Sequence, residues 1–281
     1  MTDLATRIAE RATTLPPAER RVAEVVLADP SVAAFATVAE LGRRARTSGA
    51  TVVRLADRLG YDGWIGLQAT VRAEVDQQLR PAAVRIRERA TDDVLSATAA
   101  READNVHRTF DSIDRGQFDE AVELLADRGR RVRVLAGSAQ AGVGTMLGDA
   151  LDLLRADVEV VSGSPVSVTR ALAHTRDGDV LVAIDLRRYE RWVLDAVGTT
   201  VEHGGAVIAL TDSRLSPLAT RATIAFVVAA EGAGPFDSHV GTLALANALA
   251  SGVATRLRRP ATDRLDRIES AWQHADALTD H

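Results

Sequence analysis

From Arg131 onward, five short runs rich in β-branched residues are separated by segments with helical or turn patterns. They are Val132-Arg-Val-Leu-Ala136, Val158-Glu-Val-Val161, Val180-Leu-Val-Ala-Ile184, Ala206-Val-Ile-Ala-Leu210 and Ile224-Ala-Phe-Val-Val228. Runs this short and this apolar suit strands covered on both faces, and helices between them predict a doubly wound parallel sheet. Ligands of such sheets bind outside the carboxyl ends of the strands, so the informative residues are those at the strand exits.

Exit one is Gly137-Ser-Ala-Gln-Ala-Gly-Val-Gly144. It lacks G-x-G-x-x-G spacing, and Val143 and Gly144 stand where a Walker loop needs Lys and Ser or Thr, which disfavours a nucleotide. A small-residue loop opening a helix either binds an anion through its N–H groups and the helix dipole or is a tight turn and nothing more. Exit three is Asp185-Leu-Arg-Arg-Tyr-Glu-Arg191. Guanidinium forks suit phosphate and carboxylate, so Arg187 or Arg188 is a candidate anion holder; the alternative is a solvated charged turn. Exit four begins at Thr211, with Ser216-Pro217 as cap and first turn of a following helix. After the fifth run, Ser238 and His239 precede an apolar helix over 240–254, as crevice residues or as a capping serine and a surface histidine.

The first eighty residues follow a different rule. In Thr47-Ser-Gly-Ala-Thr-Val-Val-Arg-Leu-Ala-Asp-Arg-Leu-Gly-Tyr61, the residues Val52, Leu55, Ala56 and Leu59 make one apolar helix face. Ser48 is placed to cap that helix with its hydroxyl, and Gly60 ends it with a left-handed residue. The opposite face carries Ala50, Arg54 and Arg58 beside Thr51, and Gly49 and Ala50 let the helix start approach another surface closely. A helix beginning near Pro17 and stopped by Pro30 precedes it, then one opened by the capping-box spacing Thr37-x-x-Glu40 and reaching Ala45. Two helices joined by so short a turn are the unit DNA readers use, and a further helix runs from about Leu67 to Leu79. Between the two halves, Pro81 is followed by a charged helix near Thr91–Ile113, too sparsely apolar for a deep core, and another near Phe118–Arg128.

Charge supports the division. The chain carries a net −5, yet residues 1–80 hold 11 Arg against 10 acids, and 41–60 hold five Arg against Asp57 alone. A basic patch on an acidic chain fits a DNA-binding module joined to something else. At 281 residues two domains are expected. No run of about 18 apolar residues predicts a membrane span, and the charged N-terminus does not read as a signal peptide. Without cysteine there is no thiol chemistry, and all 34 basic residues are arginine, so a lysine Schiff base is excluded. The expectation is a cytoplasmic protein with no metal and no cofactor.

The arrangement "LPPAERRVAEVVLADP…TVAELGRRARTSGATVVRLADRLGYDGWIGLQATVRAEV" resembles the N-terminal domain of RpiR-type bacterial transcriptional regulators, with Ser48, Thr51, Val52, Arg54, Leu59, Gly60, Tyr61, Gly63 and Trp64 on its pattern. Gly42 departs from it, standing where alanine is usual. The second half resembles the SIS (sugar isomerase) domain, the effector half of such regulators, so both halves agree in order. Gly137 and Ser138 match its first ligand element. Its Ser-x-Ser-Gly-x-Thr loop is replaced by Ile184-Asp-Leu-Arg-Arg-Tyr189, resembling an arginine-tyrosine variant.

The resemblance implies an all-α helix-turn-helix domain (1–80), a helical connector (81–130) and an α/β doubly wound SIS-like domain (131–281) that binds effector and dimerises. It implies double-stranded DNA as partner, with Ala50, Thr51 and Arg54 toward the major groove and Arg43, Arg44, Ser48 and Arg58 near phosphates. It implies a small anionic metabolite held among Gly137, Ser138, Asp185, Arg187, Arg188, Thr211, Ser238 and His239, in a homodimer or homotetramer. The expected class is a regulator and not an enzyme. The rivals are a phosphosugar isomerase, for which only Asp185, Glu231 or His239 is placed as general base, and a ligand-free dimerisation scaffold.

Overall fold

The computed structural model describes residues 4–28, 33–34, 36–79, 82–88, 93–214 and 216–278. Pro30, Pro81 and Thr91, taken above as helix boundaries, lie outside the described residues. The N-terminal region holds α1 (Leu4–Arg11), α2 (Pro17–Ala28), α3 (Val38–Arg44), α4 (Gly49–Arg58) and α5 (Gly63–Leu79). Their inward residues, among them Leu4, Val22, Leu41, Val52, Leu55, Leu59 and Leu67, share one core, where each large aliphatic side chain removed from water contributes about 2 kcal/mol.

The ends of α3 and α4 are where the sequence is most specific. Thr37 and Glu40 close the expected capping box: Oγ1 of Thr37 accepts from Glu40 N at 3.2 Å, and the Glu40 carboxylate accepts from Thr37 N at 2.8 Å. Ser48 does sit at the N-cap of α4, but its hydroxyl caps no N–H; it bonds Thr51 Oγ1 at 3.1 Å. Gly60 takes φ +83°, ending α4 as expected. The turn between α3 and α4 lies so close that a Cβ on Gly42 would stand 3.1 Å from three of its backbone atoms, which accounts for glycine there. Two arginines cap carbonyls: Arg7 donates to Leu59 O at 3.0 Å, and Arg21 to Ala45 O at 3.2 Å.

Three helices follow, α6 (Ala82–Glu88), α7 (Val94–Asp111) and α8 (Arg115–Ala126). As its sparse apolar pattern implies, α7 is fixed largely by polar bonds. The buried amide of Asn105 donates to Glu231 O at 2.8 Å and accepts from Glu231 N at 3.2 Å, while Thr109 Oγ1 accepts from Ala229 N at 3.0 Å.

The five runs become β1 (Val132–Ala136), β2 (Val158–Val161), β3 (Val180–Ile184), β4 (Ala206–Thr211) and β5 (Ile224–Val227), all parallel, in the order β2-β1-β3-β4-β5. Alternate side chains serve the two faces. Val132, Val134, Val180, Val182, Ile184, Ile208 and Leu210 pack under α8, α9 (Ala141–Leu154) and α12 (Val240–His274). Leu135, Leu181, Ala183, Val207 and Ala209 pack under α10 (Pro165–Leu172) and α11 (Arg191–Glu202). The helix expected after Ser216-Pro217 is only a 3-10 turn over Ala219–Arg221, with Ser216 Oγ accepting from Ala219 N at 3.0 Å. By length and composition α12 is apolar enough to cross a membrane. Leu245, Leu249, Val253 and Leu257 are instead buried against the sheet, and the helix kinks at Arg258, φ 29°, just before Pro260.

Strand order places a topological switch point between β1, which turns outward to β2, and β3, which lies on its other side. The crevice at that point lies between exit one and exit three.

Candidate functional site

Two regions bring together the residues expected to meet DNA and effector. On α4, Ala50 and Arg54 are exposed, as are Ser48 before it and Arg43 and Arg44 in the last turn of α3. Thr51, expected to face outward, is only 4 % exposed. Its Oγ1 is met by Thr47 Oγ1 at 3.0 Å, Ser48 Oγ at 3.1 Å and Arg54 Nη2 at 3.1 Å. The hydroxyl thus fixes the start of α4 and the direction of Arg54. Arg58, expected near phosphate, places Nε 2.7 Å from Glu19 Oε2, and Glu19 is buried on α2. That pair braces α4 against α2.

In the crevice, exit three turns through two left-handed residues, Arg187 at φ 31° and Arg188 at φ 58°. Such values are uncommon for side-chain-bearing residues and persist where the surroundings over-determine them. Asp212 does this: its Oδ1 accepts from Arg187 N at 3.1 Å and from the Tyr189 hydroxyl at 2.8 Å. Burial and the adjacent Asp212 charge both push the Tyr189 phenol upward, so it stays a donor. The Arg187 guanidinium does not point freely into the crevice. It is enclosed by Asp212 at 3.4 Å, Glu231 at 2.8 Å and Asp237 at 3.1 Å. Although burial opposes its charge, these carboxylates hold it firmly protonated. Asp237 Oδ1 also receives Arg85 Nη1 of α6 at 2.5 Å. Arg188 is exposed.

Glu190 crosses the crevice. Its Oε1 accepts from Ser138 N at 2.5 Å, and its Oε2 from Ser138 Oγ at 2.9 Å and Trp192 Nε1 at 2.5 Å. Burial works against this carboxylate, yet the Trp192 and Ser138 bonds hold it below the usual range. Beneath it Asp185 is 2 % exposed, and its Oδ2 accepts from Glu190 N at 2.7 Å. Burial, reinforced by Glu190 and Asp212, pushes the Asp185 carboxyl up to about 7. Gly137 is needed here, because a Cβ would lie 2.5 Å from Asp185 Oδ1.

Comparison with known proteins settles the kinship of this arrangement. Residues 2–78 match the model of the helix-turn-helix domain of the rpiR family, and residues 124–252 that of the SIS domain. The chain belongs to the RpiR family. It joins a helix-turn-helix domain to a SIS domain. The HTH-type transcriptional regulator HexR of Pseudomonas aeruginosa is 28 % identical over 96 % of this chain and 96 % of its own length. The sugar isomerase domain of an RpiR transcription factor from Sphaerobacter thermophilus is 27 % identical over 63 % of this chain and 99 % of that one, with a TM-score of 0.60. The NanR protein of Vibrio vulnificus, solved with ManNAc-6P, shares the fold at 22 % identity and a TM-score of 0.57, over 96 % of this chain and 98 % of that one.

Within this RpiR chain, Gly137, Ser138 and Asp185 stand together at the switch point, with Arg187 and Arg188 on the adjoining turn. Thr211 is fully buried at the end of β4. Ser238 is 7 % exposed; its Oγ donates to Glu102 of α7 and accepts from Val240 N at 3.1 Å, so it ties the start of α12 to α7. His239 is the N-cap residue of α12 and makes no side-chain cap. Sequence reasoning did not single out Glu190, Trp192, Asp212, Asp237 or Arg85. Glu190 and Asp212 carried a signal, as acids within exits three and four.

Proposed function

We propose that this RpiR-family chain is a cytoplasmic, effector-responsive transcriptional regulator acting on double-stranded DNA as a homo-oligomer, without catalysis of its own. Residues 1–80 bind DNA, 81–130 connect, and 131–281 bind effector and dimerise. The observation that carries the reading is α4: a packed back, an exposed Ala50 and Arg54, and an Arg54 side chain aimed by the buried Thr51. Ala50 and Arg54 read base edges while Ser48, Arg43 and Arg44 meet phosphates. Thr51 and Arg58 act behind them, the first aiming Arg54 and the second bracing the helix.

The effector is a small anionic metabolite of phosphosugar type, bound at the switch point by Gly137 and Ser138 with Arg188 at its rim, and with Arg187 as part of the wall. A non-catalytic role is supported by how the candidate bases are used: Asp185 supports Glu190 N, and Glu231 pairs with Arg187.

The test is binding of the full chain to DNA from upstream of its own gene, against scrambled competitor, across a salt series. Specific binding with a steep negative salt slope is expected. Arg54→Ala should weaken it by about 1–3 kcal/mol and relax base preference. A folded protein that shows no preference over competitor at low salt, with or without a phosphosugar panel, refutes the reading.

A further inference from the structure

The carboxylate of Glu190 sits where a ligand of the crevice would place its anionic group. It receives three donors and meets no acceptor among them: Ser138 N–H, Ser138 O–H and Trp192 Nε1–H, at 2.5, 2.9 and 2.5 Å. Glu190 is the N-cap residue of α11, yet its side chain caps nothing in its own helix. Two of its three donors belong to Ser138, 52 residues away, and the third to Trp192, two residues on. The donors come from the starts of two helical segments, α11 and the 3-10 turn Ser138–Gln140 that leads into α9, whose fields both favour negative charge. Next to them Gln140 is 3 % exposed, and its Oε1 has no hydrogen-bond partner. That oxygen lies 3.0 Å from where a Cβ on Gly137 would be. A buried acceptor left open beside a filled anion cradle is what a ligand with hydroxyls beyond its charged group would use.

Building on the reading of this crevice as an anionic-effector site, we propose that Glu190 is an internal stand-in for the effector's phosphate, and that an entering phosphate takes Ser138 and Trp192 from it. Apparent affinity is then the intrinsic affinity reduced by the fraction of molecules in which Glu190 has let go. Displacement also unties exit three, which carries Glu190, from Ser138 of exit one. The response of the protein to effector begins with the movement of this one side chain.

The experiment uses the full chain labelled with 5-fluorotryptophan and inorganic phosphate as probe, at ionic strength held constant with chloride. The three tryptophans give three fluorine resonances, and Trp192→Phe assigns the one that matters. Phosphate should move the Trp192 resonance, and both Glu190→Gln and Glu190→Ala should bind phosphate about tenfold more tightly, since each removes a charge-assisted competitor. Circular dichroism checks that both variants remain folded. Wild-type binding seen at Trp192 with no tightening in either variant overturns the stand-in role and leaves the anionic reading intact. Phosphate binding that leaves the Trp192 resonance unmoved places the anion elsewhere and overturns it too. No phosphate response in any of the proteins removes the anionic reading itself.

Discussion

At the scale of single residues, the crevice is governed by the state of Asp185. Its folded value near 7 lies above the ordinary 3.8, so the folded chain holds this proton more tightly than the unfolded one. The stabilisation is complete below pH 3.8, declines as pH rises toward 7 and is gone above it. Asp185→Asn keeps an acceptor for Glu190 N and has no charge to bury. It should therefore raise Tm at pH 8 relative to wild type and flatten the dependence between pH 5 and 8. Thermal melts at pH 5.5 and 8 decide this, and parallel profiles for the two proteins would show that Asp185 is ionised without cost. Arg187 teaches a related lesson. Two adjacent arginines at a strand exit advertise an anion site, but one of them is consumed by three carboxylates of its own chain.

At the scale of elements, α4 works as a unit in which a buried hydroxyl directs an exposed guanidinium. Thr51→Val keeps the shape and removes the hydroxyl. If Thr51 acts through Arg54, the loss of operator affinity in Thr51→Val should vanish when Arg54 is already alanine, a coupling of about 1 kcal/mol in a double-mutant cycle. Additive losses would instead give Thr51 a role of its own. The same scale shows what the sequence discloses. β1, β2 and β3 coincide with their apolar runs, and β4 and β5 agree to within a residue, because side-chain alternation and turn residues are local signals. The capping box at Thr37 and the stop at Gly60 are legible for the same reason. The interior of the site is not, because its bonds join distant segments: Arg187 to Asp212, Glu231 and Asp237 across 25, 44 and 50 residues, and Glu190 to Ser138 across 52. Which of several acids closes on which arginine is decided by strand order, and no spacing rule in one sequence contains it. Thr51 and Ser48 misled for a subtler reason, since a hydroxyl on a helix start serves a cap, a neighbour or a ligand with the same residue type.

At the scale of the whole molecule, the homo-oligomer proposed above would set two recognition helices on half-sites about 34 Å apart or a multiple of that, and the effector signal would then have to leave the crevice. One contact could carry it: Arg85 of α6 and Arg187 of exit three share a single oxygen of Asp237. Arg85→Ala should leave operator binding in the absence of effector close to wild type and shrink the ratio of operator affinities with and without effector. The effector for that assay is whichever metabolite most raises Tm. An unchanged ratio would remove Arg85 from the path. A coupling free energy has no preferred direction. If the shared oxygen carries the metabolite's message to DNA, it carries DNA's message back by the same factor. A promoter-bound copy of this protein and a copy adrift in the cytosol would then respond at different metabolite concentrations, and the genome would help to set the threshold of its own sensor.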